Sequence, residues 1–63
     1  MDIKTARQKA HMSQQELADA AGVTRVTIAR YEAGERIPNA VTAVKLAAAL
    51  GCTVEDLIKE DGT

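Results

Sequence analysis

Residues 13–34 read SQQELADAAGVTRVTIARYEAG, and the folding of this stretch decides the folding of the chain. Ser13 is a helix N-cap, and Glu16 three residues later completes a capping box, each side chain taking the other residue's backbone N–H. Leu17, Ala18 and Ala21 then fall on one stripe of a helix. Gly22 stops it, because a left-handed residue closes a helix at least cost when it lacks a Cβ. Thr24 caps a second helix with Ile28 and Tyr31 inward, and Gly34 stops that one in turn. The spacing predicts two short amphipathic helices hinged at Gly22-Val23. Arg25 and Arg30 lie on the second helix, away from its apolar residues.

The same punctuation extends in both directions. Asp2 caps a helix from Ile3 to about Ala10, and His11 fills the left-handed position after it, a conformation His tolerates better than β-branched residues do. Asn39, straight after Pro38, caps a fourth helix with Ala43, Leu46, Ala47 and Leu50 on its apolar stripe. Gly51 ends that helix. Thr53 caps a fifth, with Asp56 at the reciprocal position and Val54, Leu57 and Ile58 apolar. Met12 with Leu17, Val23 with Ile28, and Cys52 with Leu57 have the spacing of hydrophobic staples, which set the angle at which the chain enters a helix. Residues 1–63 read as a single domain, and residues 60–63 are expected to fray.

Composition narrows the class. With 63 residues the chain buries only about 60% of its unfolded surface, so its stability is marginal. There is no Phe or Trp and one Tyr, so the core is aliphatic and rich in alanine. No segment alternates as a strand would. The expectation is an all-α, compact five-helix domain. A single cysteine excludes an internal disulfide and a multi-Cys metal site. His11 and Cys52 have no nucleophile–base or carboxylate-pair company, so no catalytic residue, metal or cofactor is expected. There is no signal-peptide h-region and no apolar run near the ~20 residues a membrane span needs. A cytoplasmic protein without a membrane partner is expected.

Two helices on a tight glycine-containing turn are the layout of a helix-turn-helix, whose second helix enters the DNA major groove. Arg25, Val26, Thr27 and Arg30 are then the base-reading candidates: an Arg fork can bond guanine O6 and N7, and a valine can pack on a thymine methyl. Gln14 at the start of the preceding helix suits a phosphate, helped by free N–H groups and the positive dipole end. Its neighbour Gln15 shares the position but reads better as a surface helix former. Arg36 and Asn39, flanking Ile37-Pro38, complete the phosphate and positioning set. Asn39 serves as a cap in either case. Lys4, Lys9 and Lys45 read as solubilising charges. Arg7 and Glu32 can form a structural salt bridge between the first and third helices. A net charge of −1 weighs against non-specific affinity for nucleic acid. Its distribution softens this: every basic residue except Lys59 lies at or before Lys45, while Glu55, Asp56, Glu60 and Asp61 cluster at the end.

These residues resemble the Cro/repressor-type, lambda-repressor-like helix-turn-helix family. The resemblance runs through Met12-Ser13-Gln14-Gln15-Glu16-Leu17-Ala18, Gly22-Val23-Thr24 and Ile28-Ala29-Arg30-Tyr31-Glu32-Ala33-Gly34, then Pro38, Leu46-Ala47 and Leu50-Gly51. It implies that the third helix is the recognition helix, with Arg25, Val26 and Arg30 at the main base-reading positions and Thr27 nearby. It puts Gln14 on a phosphate and an Arg–Glu pair on Arg7 and Glu32. It implies dimerisation through Val54, Leu57 and Ile58 with the end of the fourth helix. Two positions depart from the pattern: Ala33 stands where many members carry Asn, and His11 where many carry Gly. The function implied is a sequence-specific regulator of transcription, a repressor binding double-stranded DNA as a homodimer on a pseudo-palindromic operator. The alternative is a protein-interaction module, such as an antitoxin that binds a toxin partner.

Overall fold

The computed structural model describes residues 2–58. They form α1 (Ile3–Lys9), α2 (Gln14–Ala21), α3 (Arg25–Ala33), α4 (Ala40–Leu50) and α5 (Val54–Ile58), with no strand among the described residues. The all-α, five-helix expectation is met. The expected fraying of residues 60–63 lies outside the described residues.

Each helix starts where a short polar side chain takes the N–H three residues on. Asp2 accepts from Thr5 N–H at 3.1 Å, Thr24 from Thr27 at 3.2 Å and Asn39 from Thr42 at 2.8 Å. Ser13 and Glu16 close a capping box at 3.0 and 2.8 Å, and Thr53 and Asp56 close another at 3.1 and 3.2 Å. Such caps satisfy N–H groups that have no partner within the helix, each for about 1 kcal/mol.

The helix ends are equally uniform. Residues at positive φ follow α1 to α4: His11 at 58°, Gly22 at 72°, Gly34 at 77° and Gly51 at 73°. At each, two N–H groups fold back on the last turn. After α2, for example, Gly22 N–H donates to the Asp19 carbonyl at 3.4 Å and Val23 N–H to Ala18 at 3.0 Å. This is the Schellman closure. After α1, α2 and α4 the second of these residues is apolar, and it is the same residue that staples the next helix. Met12, Val23 and Cys52 pack half-buried against the core. One apolar side chain therefore ends one helix and aims the next.

The five largest fully buried side chains come one from each helix: Ile3, Leu17, Ile28, Leu46 and Leu57. Alanines fill the space between them. Ala18, Ala21 and Ala47 are buried, so α2 can approach both α3 and α4 closely. Burying each large aliphatic is worth about 1.5–3 kcal/mol, and this is where the domain's stability resides. α5 closes the core at the α1 end, where Asp2 N–H donates to the Leu57 carbonyl at 3.4 Å.

Candidate nucleic-acid interface

The α2–turn–α3 unit is positioned from three sides. From within, Leu17, Ala18, Ala21, Ile28 and Tyr31 are buried. At the turn, Lys45 of α4 brings its Nζ to 4.0 Å from where a Cβ on Gly22 would sit. That ammonium faces the carbonyl end of α2, the negative end of its dipole. From sequence Lys45 reads as a solubilising charge, because its neighbour across the turn is set only by the packing of α4.

The third hold is polar. Arg7 Nε donates to Glu32 Oε2 at 2.6 Å and Arg7 Nη2 to Glu32 Oε1 at 3.4 Å, joining α1 to the end of α3. Arg7 Nη1 also donates to the Met12 carbonyl at 2.8 Å. The pair is mostly covered, the Arg7 and Glu32 side chains being 14% and 7% exposed. Gln14 Nε2 donates to Glu32 Oε1 at 3.1 Å, which adds α2 to the same carboxylate. No residue pattern announces that last bond, since it depends on the angle between α2 and α3.

On the outer side of α3, Arg25, Val26 and Arg30 are exposed, and Val26 keeps 53% of its surface in water. Neither arginine has a hydrogen-bond or ion-pair partner among the described residues, so both guanidinium groups retain all their donors. Thr27 is different: it is half-buried and its hydroxyl lies 2.9 Å from that of Thr24, within the N-terminal cap. Its polar group is engaged at the start of the helix.

The remaining predicted contacts separate in the same way. Arg36 is exposed. Asn39 is exposed and uses its carbonyl oxygen as the cap of α4, which leaves its amide N–H groups available. Gln15 is exposed and bonds within its own helix. Its Nε2 donates to Asp19 Oδ1 at 2.9 Å. The i,i+4 spacing of Gln15 and Asp19 carried that signal.

The C-terminal residues also divide. Leu57 is 2% exposed and belongs to the core, so it does not present the contact surface expected of it: five-residue α5 spends that side chain closing the domain. Val54 is half-buried against the core. The Ile58 side chain lies outside what the structure describes. Exposed apolar side chains stand instead at Ile37, Val41 and Val44.

Along the sequence, positive charge is concentrated around and after α3. Residues 20–54 carry Arg25, Arg30, Arg36 and Lys45 against Glu32 and Glu35, and Glu32 is paired with Arg7. The overall charge of −1 conceals this asymmetry. Among the described residues, no group of three or more His, Cys, Asp or Glu could hold a metal, and no helix is long and apolar enough to cross a membrane.

A family model described as helix-turn-helix matches residues 3–57. An uncharacterized HTH-type transcriptional regulator of Methanothermobacter thermautotrophicus (strain Delta H) is 40% identical over 63 residues, covering 95% of this chain and 91% of that one. Among solved structures, the P22 c2 repressor in complex with a synthetic operator superimposes with a TM-score of 0.87 at 34% identity, over 94% of this chain and 89% of that one. The SinR/SinI complex contains a similar chain, with a TM-score of 0.85 and 30% identity over 92% of this chain and 57% of that one.

Proposed function

The chain belongs to the helix-turn-helix family of DNA-binding transcriptional regulators, and from that membership we propose that it is a repressor acting as a homodimer on a pseudo-palindromic operator. The observation that carries this reading is the outer face of α3. Two arginines with every donor free among the described residues flank an exposed valine, on a helix whose inner face is buried. Such a face suits guanine O6 and N7 together with a thymine methyl. Arg25, Val26 and Arg30 are the proposed base readers. Thr27 supports the start of the helix.

Gln14, Arg36 and the Asn39 amide are the proposed phosphate contacts. They fix register and orientation and carry no sequence information themselves. The similarity to a repressor bound to its operator supports this assignment of roles. In the proposed dimer, two-fold symmetry places the half-sites about one helical turn apart, ~34 Å. Val54, Ile58 and the end of α4 form the contact, and Leu57 stiffens it from within the core. The site is cytoplasmic, where the DNA is.

A second reading is favoured by one observation: a similar chain occurs in a complex of two different proteins. In that reading a partner protein, such as a toxin, occupies part of this surface and regulates DNA binding.

Selection from a random duplex library at low and physiological salt tests the proposal. The expected result is a two-fold symmetric motif, with at least one guanine per half-site, that persists at the higher salt. Binding that yields no motif and vanishes with salt would refute sequence-specific repression and leave the protein-partner reading.

A further inference from the structure

Glu32 sits at the meeting point of three helices, and its two oxygens are unequally used. Among the described residues Oε2 takes only Arg7 Nε, at 2.6 Å. Oε1 takes both Arg7 Nη2 at 3.4 Å and Gln14 Nε2 at 3.1 Å. An ionised carboxylate accepts and cannot donate. It therefore admits only one orientation of the Gln14 amide, nitrogen inward. The Gln14 nitrogen has two N–H bonds, and Glu32 uses one. A phosphate is likewise an acceptor, so the second N–H is the only part of this amide that can meet it.

We infer that Glu32 is a positioning residue for DNA binding: it fixes the Gln14 amide so that one N–H is set toward a backbone phosphate before DNA arrives. This rests on the DNA-binding reading above and deepens it. A glutamine side chain has many rotamers, and a contact made by a free one loses affinity to the cost of ordering it. Glu32 removes that cost in the free protein. Arg7 makes the arrangement compatible with DNA. A bare carboxylate beside a phosphate would repel it, whereas Arg7 neutralises Glu32 through two bonds and is held in turn by the Met12 carbonyl. The pair shapes the site without touching the ligand.

The test is a mutant cycle on operator affinity, using the duplex selected with the wild-type domain. Gln14→Ala and Glu32→Gln are each expected to weaken binding about fivefold, the effect of immobilising one long side chain. The double variant is expected to bind no more weakly than Gln14→Ala alone. A purely structural role for Glu32 would lower affinity equally in both backgrounds, so additive losses would overturn the inference while leaving the proposed function standing. Failure of the wild-type domain to bind any selected duplex would overturn both. Side-chain 15N relaxation of the free wild-type domain provides a check independent of whether Glu32→Gln folds. The Gln14 amide is expected to be nearly as ordered as the backbone. Mobility equal to that of exposed Gln8 would overturn the inference.

Discussion

Arg7 and Met12 are bonded in both directions: Met12 N–H donates to the Arg7 carbonyl at 3.1 Å, and Arg7 Nη1 donates to the Met12 carbonyl at 2.8 Å. The second bond fastens the α1–α2 joint to the guanidinium that also holds Glu32. Arg7→Met is therefore expected to cost about 3 kcal/mol, because it breaks the joint and leaves a covered carboxylate without its cation. The Arg7→Met, Glu32→Met double variant should recover much of that loss, since an apolar pair of similar volume has no buried charge to compensate. Urea unfolding of the two variants checks both statements. A double variant as unstable as the single one would show that the Met12 bond, and not the ion pair, dominates.

His11 and Gly22 occupy the same backbone conformation with different side chains, at φ 58° and 72°. His11→Gly is expected to stabilise the domain by about 0.5–1 kcal/mol, the strain relieved less the added chain entropy of glycine. Gly22→Ala should destabilise it by about 1–2 kcal/mol through the same strain. Crowding adds little there, since the nearest atom to the new Cβ is the far end of Lys45 at 4.0 Å. Thermal melts of the two variants should shift in opposite directions.

Arg30→Ala is expected to relax the selected operator motif at one base position, with a loss of about 1–3 kcal/mol on the preferred sequence and almost none on the others. Its fold should be untouched, because Arg30 is exposed and holds no partner among the described residues. Repeating the library selection with this variant decides the matter: recovery of the unaltered motif would remove Arg30 from the base readers.

The Asp2 carboxyl is held below its ordinary range by the Thr5 N–H and hydroxyl at the start of α1. A carboxylate with a depressed folded-state value stabilises fully above its unfolded value of about 4, and this is lost as pH falls through the lower folded one. Asp2→Asn keeps a capping oxygen and does not titrate. The melting temperatures of the two proteins should lie close together at neutral pH, with wild type falling more steeply below about pH 4.

The Cys52 thiol is pushed up by burial and by the nearby Asp56 carboxylate. It should react with iodoacetamide more slowly than a short peptide thiol at the same mildly alkaline pH, because the thiolate is the nucleophile. Unfolding in urea should abolish the difference.

Much of this was legible in the sequence because it is local. Caps, glycine stops and staples act over three to five residues, and Ser13, Gly22, Thr24 and Asn39 each do what their neighbours along the chain dictate. The bond from Gln14 to Glu32 spans 18 residues and depends on a helix-crossing angle, which no residue type encodes. Lys45 beside Gly22 is the same case. Leu57 shows a different limit: apolar spacing says that a face will be covered, and does not say whether the domain's own core or a second chain covers it. Gln15 was readable, since Asp19 stands one helical turn away.

The side chains that hold α3 in place and those on its outer face are separate sets. Thr24, Ile28, Tyr31 and Glu32 hold it from one side, while Arg25, Val26 and Arg30 face the other way with no bond to the rest of the described domain. A lineage can therefore rewrite three codons on this helix without repairing anything elsewhere. Descendants of such a gene inherit the scaffold intact while the outer face of this helix diverges.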